Sequence, residues 1–274
     1  MAAPVQATSP APAPEPARPP AAPLPSIYAD ATHYDLLAQM TAPRDLPFYL
    51  RQVERHGGPL LELGCGTGRV CLAIAERGTE VAGLDLSLPL LARARSKALG
   101  LRVPVALHHA DCRDFDLGRR FALVIFPYNG FNHLLDLGGV RGCLAAVRRH
   151  LGDGGRLVID TFNPSVARLA CDPEVREPIL RFLDPYLGEQ VVMRERNRYD
   201  HARQVNRITW YYEIAGEREA RVDELEMRIF FPQELDALLA LNGFAIEHKY
   251  GDYDERPFES RCPKQLVVCR PAVP

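Results

Sequence analysis

Short apolar runs alternate with helical segments from about residue 27 to residue 164. Residues 152–155, Gly-Asp-Gly-Gly, are predicted to end the fifth of these helices. Strands that alternate with helices in this way are typical of an open parallel sheet with helices on both faces. The pattern predicts strands at 60–63, 81–84, 103–107, 122–126, 156–162, 245–250 and 265–269, and helices at 28–40, 46–56, 69–77, 89–100, 140–151 and 232–241.

The rhythm changes to a period of two between the fifth strand and the helix at 232. Three runs alternate in this way, at residues 190–199, 205–214 and 225–231. Such alternation favours an antiparallel meander with one buried face. We expect this meander to roof the mouth of the site that the parallel sheet forms, and residues 165–181 to be helix and loop.

A glycine-rich turn follows the first predicted strand. Its glycines are Gly64, Gly66 and Gly68, Glu62 stands just before them, and Asp85 ends the next predicted strand. A tight strand-to-helix turn needs positive φ, which glycine adopts without steric cost, and the missing Cβ lets a ligand approach the backbone. An acid at the end of the second strand suits a ribose. The pattern therefore indicates a site for a nucleoside-type cofactor.

The spacing of the glycines distinguishes between cofactors. A dinucleotide fingerprint requires a glycine where this chain has Arg69, and a phosphate loop requires a lysine that is absent here. The Glu-x-Gly-x-Gly-x-Gly turn instead resembles that of class I S-adenosylmethionine-dependent methyltransferases. The resemblance extends over about residues 27–270, and it implies S-adenosyl-L-methionine as the cofactor.

The resemblance also implies roles for individual residues. Glu62 would organise the turn and meet the methionine amino group, and Asp85 would accept both ribose hydroxyls. Asp111 and Cys112 would hold adenine, and Phe126 would line the same cavity. The expected cofactor-binding residues are Tyr34, Glu62, Gly64, Cys65, Gly66, Gly68, Asp85, Leu86, Asp111, Cys112 and Phe126.

His133 is the candidate general base. It follows the fourth predicted strand, and an imidazole with a pKa near neutrality suits proton uptake. A base is needed for a hydroxyl acceptor and is optional for an amine. The alternative interpretation is a helix-capping or partly buried histidine. Arg194, Arg196 and Arg198 alternate along one strand, either as a solvated sheet face or as a device that captures an anionic substrate.

Composition narrows the class of protein. The chain has 274 residues and a net charge of −2, which gives no global attraction to nucleic acid or anionic membrane. The seven cysteines form no Cys-x-x-Cys pair, so we expect reduced thiols in the cytoplasm, and the sequence shows neither metal-ligand spacing nor a membrane span. Residues 1–26 are rich in Ala and Pro and predict a disordered tail rather than a secretory signal.

The sequence thus predicts a doubly wound, mostly parallel seven-stranded α/β sheet. Residues 27–164 and 232–274 would form the cofactor-binding domain, and residues 165–231 an inserted lid. The predicted function is transfer of the methyl group of S-adenosylmethionine to a nitrogen or oxygen atom of a small metabolite. An NAD-dependent oxidoreductase, a protein or RNA methyltransferase and a non-catalytic cofactor-binding protein remain alternatives. The expected partner is a small-molecule acceptor, not nucleic acid or membrane, and a homodimer is left open.

Overall fold

The computed structural model describes residues 24–41 and 44–272. Helices and strands alternate as far as Phe162, with short 3₁₀ helices at Ser26–Tyr28 and Gly130–His133. The elements are α1 (Ala31–Thr41), α2 (Leu46–His56), β1 (Leu60–Leu63), α3 (Cys71–Ala75), β2 (Val81–Asp85), α4 (Leu88–Leu101), β3 (Ala106–His109), β4 (Phe121–Phe126), α5 (Leu137–His150) and β5 (Leu151–Phe162).

The second part of the chain is rich in strands. Its elements are α6 (Val166–Leu169), β6 (Glu177–Leu183), β7 (Gln190–Asp200), β8 (Val205–Ile214), β9 (Glu217–Arg228), α7 (Pro232–Leu241), β10 (Phe244–Tyr250) and β11 (Lys264–Pro271). Strands β6 to β9 form a four-stranded antiparallel sheet in sequential order. We call this the second sheet.

The remaining strands form a seven-stranded sheet in the order β10-β11-β5-β4-β1-β2-β3. Strand β11 is antiparallel to both of its neighbours, and the other pairs are parallel. The predicted fold class is therefore confirmed. The order of the strands reverses between β1 and β4. In open α/β sheets, ligands bind at such a point, beside the carboxyl ends of the strands.

The central strands are buried on both faces. Leu60 and Leu61 are adjacent in β1 and both fully buried, yet they belong to different apolar clusters. Successive side chains of a strand point to opposite faces, so the two clusters are the two layers between sheet and helices. This burial explains why these strands read as continuous apolar runs.

A third apolar cluster joins the N-terminal segment to the second sheet. Ile27, Leu36 and Leu37 pack there against side chains such as Met193 and Tyr212. Helix α1 therefore lies between the two sheets, where it can cover the carboxyl ends of the parallel strands.

Four local predictions were wrong. The third run of the meander is Glu217–Arg228, not 225–231, because its pairing with β8 extends from Glu217 to Arg228. The third strand is Ala106–His109, not 103–107, because its pairing with β2 begins at Ala106. Val103 and Val105, which precede it, pack against an apolar cluster instead. Residues 152–155 do not end the helix but bulge within β5, since Leu151 pairs with Phe121 and Arg156 with Leu123. Strand β6 was missed because it lies at a sheet edge, with most of its side chains exposed.

The structure also bears on the predictions about the tail, the cysteines and membrane spans. Of the predicted tail, residues 1–23 lie outside the described residues, and Ser26 begins the first 3₁₀ helix. All seven cysteines are free thiols. Within the described part of the chain, every helix is too short or too polar to span a membrane.

Candidate functional site

The glycine turn begins on the backbone of the neighbouring strand. The amides of Gly64 and Cys65 both donate to the carbonyl oxygen of Leu84, at 2.8 and 3.0 Å. The φ angles of Gly64, Gly66 and Gly68 are 68°, 55° and 85°, in the left-handed region. Residues with a Cβ rarely adopt this region, so the turn requires its glycines.

Asp85 connects this turn to the start of α4. Its carboxylate accepts hydrogen bonds from the amides of Gly66 and Ser87, each at 2.8 Å. Burial raises the pKa of Asp85, while these amides oppose that effect by stabilising the carboxylate. The acid at the end of β2 is therefore fixed in orientation and lines the cavity described below.

Glu62 is a buried acid with unused hydrogen-bonding capacity. Its side chain is 3% exposed, and among the described residues its Oε2 atom has no hydrogen-bond partner. Burial raises the pKa of Glu62 well above its usual range. A buried acceptor without a partner is costly, so a cationic donor at this point would be strongly favoured.

Asp111 and Cys112 follow β3, next to Asp85. The amide of Ala110 donates to the Asp85 carbonyl oxygen at 3.2 Å, which ties this segment to β2. Asp111 forms an ion pair of 2.6 Å with Arg113. The Cys112 thiol is hydrogen-bonded to Cys143 and, together with burial, raises the pKa of the Cys143 thiol.

These residues surround a cavity of about 1730 Å³. Gly68 is not part of its wall; a Cβ there would lie 2.8 Å from Leu72 Cδ1, so this glycine lets the turn pack against α3. The structure brings together on the wall eleven of the twelve predicted site residues, namely Tyr34, Glu62, Gly64, Cys65, Gly66, Asp85, Leu86, Asp111, Cys112, Phe126 and His133.

Two tyrosines of the N-terminal segment close one side of the cavity. Tyr34 lies over the glycine turn, since a Cβ on Gly66 would be 3.3 Å from its hydroxyl. The Tyr28 hydroxyl lies 2.9 Å from Nε2 of His133. Burial raises the pKa of both phenols, so both remain protonated and able to donate.

His133 ends the 3₁₀ helix after β4 and faces the cavity. His133 is accessible through the cavity. The protein around its ring limits hydration and lowers its pKa to about 4, although a hydrogen bond to the backbone of Glu226 opposes this. If Nδ1 donates to that carbonyl, Nε2 is left as the acceptor for the Tyr28 hydroxyl. The imidazole is therefore neutral at physiological pH and held at Nε2 by Tyr28.

Sequence reasoning missed two buried carboxylates that hold the walls of the cavity. Asp35 of α1 accepts from Thr67 Oγ1 at 2.6 Å, Arg93 Nε at 2.8 Å and Lys97 Nζ at 2.6 Å, which fastens α1 to the glycine turn and to α4. Nothing in the local sequence indicated this. Asp160 could have been found, because it follows a buried apolar run just as Asp85 does.

The second sheet supplies the wall opposite the parallel strands. Met193, Glu195 and Trp210 line the cavity there, and Trp210 Nε1 donates to Glu195 Oε2 at 3.0 Å. Arg194 and Arg196 alternate with these residues and so point to the other face, where Arg196 lies over Tyr211. The solvated-face interpretation of these arginines therefore suits the structure better than anion capture in the cavity.

Comparison with known proteins identifies what this arrangement resembles. Residues 60–155 match a family model described as a methyltransferase domain. The structure resembles the CcbJ methyltransferase of Streptomyces caelestis, with 26% identity and a TM-score of 0.78 over 90% of this chain and 98% of the other. It also resembles the sugar N-methyltransferase KedS8 of Streptoalloteichus, with 25% identity and a TM-score of 0.68 over 88% and 93% of the two chains.

Similarity to curated sequences is more local. A dTDP-3-amino-3,6-dideoxy-alpha-D-glucopyranose N,N-dimethyltransferase of Streptomyces fradiae is 33% identical over 116 residues, which are 42% of this chain and 44% of that enzyme. The chain spans about half the length of the curated relatives it matches. Residues 60–155, which match the family model, contain the glycine turn and the strand-end acids that follow it.

Proposed function

Because the chain belongs to the class I S-adenosylmethionine-dependent methyltransferase family, we propose that it transfers a methyl group to a nitrogen or oxygen atom of a small metabolite. The cofactor is S-adenosyl-L-methionine. One observation carries the proposal: three strand-end carboxylates, Glu62, Asp85 and Asp111, lie beside a glycine turn on the wall of one cavity.

The residues of this wall fit the cofactor chemically. Oε2 of Glu62 has no hydrogen-bond partner in the described part of the chain, and it suits the methionine ammonium group, which would return the side chain to its charged form. Asp85 suits the two ribose hydroxyls, and Asp111 with the Cys112 amide suits the adenine edge. Gly66 allows the backbone to approach the ligand closely.

The bound cofactor supplies an electrophilic methyl carbon. The protein's part is to orient the acceptor, which is worth about 7–11 kcal/mol of the barrier in favourable cases. His133 is neutral and can take the proton of a hydroxyl acceptor through Tyr28: the Tyr28 hydroxyl gives its proton to Nε2 as it accepts the proton of the acceptor. An amine acceptor needs no base in the site if it is already neutral when it binds.

We propose that the acceptor lies between the glycine turn and the second sheet. Residues 165–231 would then act as a lid, since Met193, Glu195 and Trp210 face the cavity. Amino sugars are the first acceptors to test, because two of the similar proteins are described as sugar N-methyltransferases. The remaining expectations are a cytoplasmic protein that acts on a small molecule and not on nucleic acid, with a homodimer left open.

The nicotinamide alternative is disfavoured at Arg69. This residue stands where a dinucleotide fingerprint needs its third glycine. Its guanidinium makes two hydrogen bonds of 2.6 Å to the buried Asp45. The side chain is thus committed to the fold.

Methyl transfer can be tested directly with methyl-labelled S-adenosylmethionine. The purified protein is incubated with amino-sugar nucleotides, small amines and small phenols, and labelled products are detected by mass spectrometry. We expect label in at least one small acceptor, and none with the Asp85→Ala variant. Cofactor binding without transfer to any member of the panel would favour the non-catalytic alternative.

A further inference from the structure

A second cluster of polar groups is buried behind the cavity, around Asp160 of β5. Asp160 is fully buried and does not line the cavity. Its Oδ2 accepts hydrogen bonds from the Tyr49 hydroxyl at 2.9 Å, the Tyr253 hydroxyl at 2.8 Å and the Tyr128 amide at 3.0 Å. Its Oδ1 accepts from Lys264 Nζ at 2.9 Å.

This cluster meets the loop after β4 where its backbone is least favourable. Tyr128 and Asn129 have φ angles of 49° and 62°, in the left-handed region that side-chain-bearing residues seldom adopt. Asp160 holds both residues, through its carboxylate to the Tyr128 amide and through its carbonyl to the Asn129 amide at 3.0 Å. Lys264 also donates to Asn129 Oδ1 at 3.1 Å.

The same loop presents functional groups to the cavity. Tyr128 lines it, and the 3₁₀ helix that ends at His133 starts directly after Asn129. We propose that Asp160 is a positioning residue, which fixes the left-handed turn at 128–129 and so presents His133 and Tyr128 to the acceptor. This inference rests on the proposed function, in which His133 serves as the base.

The donors around Asp160 make a carboxylate necessary. Burial, and then the charge of Asp160, raises the pKa of Tyr253, and the same two causes act on Tyr49, so both phenols stay protonated. The Tyr128 amide and Lys264 can only donate. An asparagine at position 160 would turn one acceptor into a donor, and either the loop amide or the lysine would lose its partner.

The test compares Asp160→Asn with Asp254→Asn, the same substitution at an exposed position. Two quantities are measured in the full chain: affinity for S-adenosylmethionine by calorimetry, and the ¹⁵N NMR signals of the His133 ring, assigned with His133→Gln. We expect Asp160→Asn to keep its affinity for S-adenosylmethionine within about threefold of the wild type, since Asp85 and the glycine turn are untouched. The Nε2 signal of His133 should shift, because its hydrogen bond to Tyr28 is lost. With an acceptor that the wild type methylates, kcat should fall about 100-fold, as expected for a misplaced catalytic group.

A folded Asp160→Asn protein whose His133 signals and kcat equal those of the wild type would overturn the proposal. If that variant does not fold, Tyr253→Phe removes a single donor, and it should shift the same His133 signal and lower kcat about threefold. An unshifted signal in Tyr253→Phe would then overturn it. Should the wild type methylate no acceptor, the proposed function fails, while the NMR comparison still decides whether Asp160 positions the loop.

Discussion

At the scale of residues, the site depends on acids placed at the ends of buried strands. Asp85 and Asp160 have their oxygens satisfied by protein donors, whereas Glu62 keeps one oxygen unpartnered among the described residues. Since burying an unsatisfied carboxyl group is costly, such a group is expected where a ligand completes the site. The three acids therefore divide into two whose oxygens already accept from protein donors and one, Glu62, that awaits a partner.

Replacing Asp85 with alanine should remove most of the affinity for S-adenosylmethionine. Hydrogen bonds to a charged group contribute about 1.5–3 kcal/mol each, so losing the ribose contacts should weaken binding about 100-fold. Isothermal calorimetry measures this, with the exposed Asp153→Ala as the matched control and a thermal unfolding curve to confirm folding. Unchanged affinity in a folded Asp85→Ala protein would refute the assignment.

Replacing His133 with alanine should slow transfer to a hydroxyl acceptor more than transfer to an amine. A general base contributes typically 10²–10⁴-fold, and only the hydroxyl needs one at the moment of attack. The rates are compared by steady-state assay on a matched hydroxyl and amine pair. A full wild-type rate with the hydroxyl acceptor would remove His133 from the role of base.

Acid should protonate His133 only near pH 4. The protein around the ring limits its hydration and lowers its pKa from 6.5 to about 4, so the ring stays neutral from pH 8 to about 5 and gains its proton below that. The unfolded chain takes up this proton already near pH 6.5, so acidification between these values also favours unfolding. An NMR titration of the His133 ring measures its pKa directly. A midpoint near pH 6.5 would show that the surrounding protein does not limit the hydration of the ring.

At the scale of elements, patterning predicted the buried strands well and the edges poorly. The bounds of α2, β1, β8 and α7 are as the sequence indicated, because each carries a clear period or a clear stop. Strand β6 lies at an edge and carries exposed side chains, and its pairing with β7 joins residues 7 to 18 positions apart. Such pairing leaves no local period to recognise.

Helix α1 provides a prediction at this scale, because Asp35 fastens it over the glycine turn. Asp35→Ala should lower the free energy of unfolding by about 2 kcal/mol, through lost hydrogen bonds to a buried charge. It should also weaken cofactor affinity about tenfold, since Tyr34 would no longer be held over Gly66. Denaturant unfolding and calorimetry measure the two effects, with the exposed Glu54→Ala as control. Unaltered cofactor affinity would show that α1 does not help to close the site.

At the scale of the molecule, the cavity exists because two sheets and the N-terminal segment meet. The glycine turn and the strand-end acids could be predicted because their signals are local in sequence. Asp35 could not, since its partners Thr67, Arg93 and Lys97 are 32, 58 and 62 residues away. The same holds for the pair of Tyr28 and His133, separated by 105 residues. Local patterns predicted residues that line one side of the cavity, and only the fold showed which residues enclose the other side.

The most direct test of the central claim is calorimetric titration of the full chain with S-adenosylmethionine and, separately, with NADH. We propose that the amino group of the cofactor meets Glu62 and that its ribose meets Asp85. We predict saturable one-to-one binding of S-adenosylmethionine and no binding of NADH. Binding of NADH with no binding of S-adenosylmethionine would contradict the account.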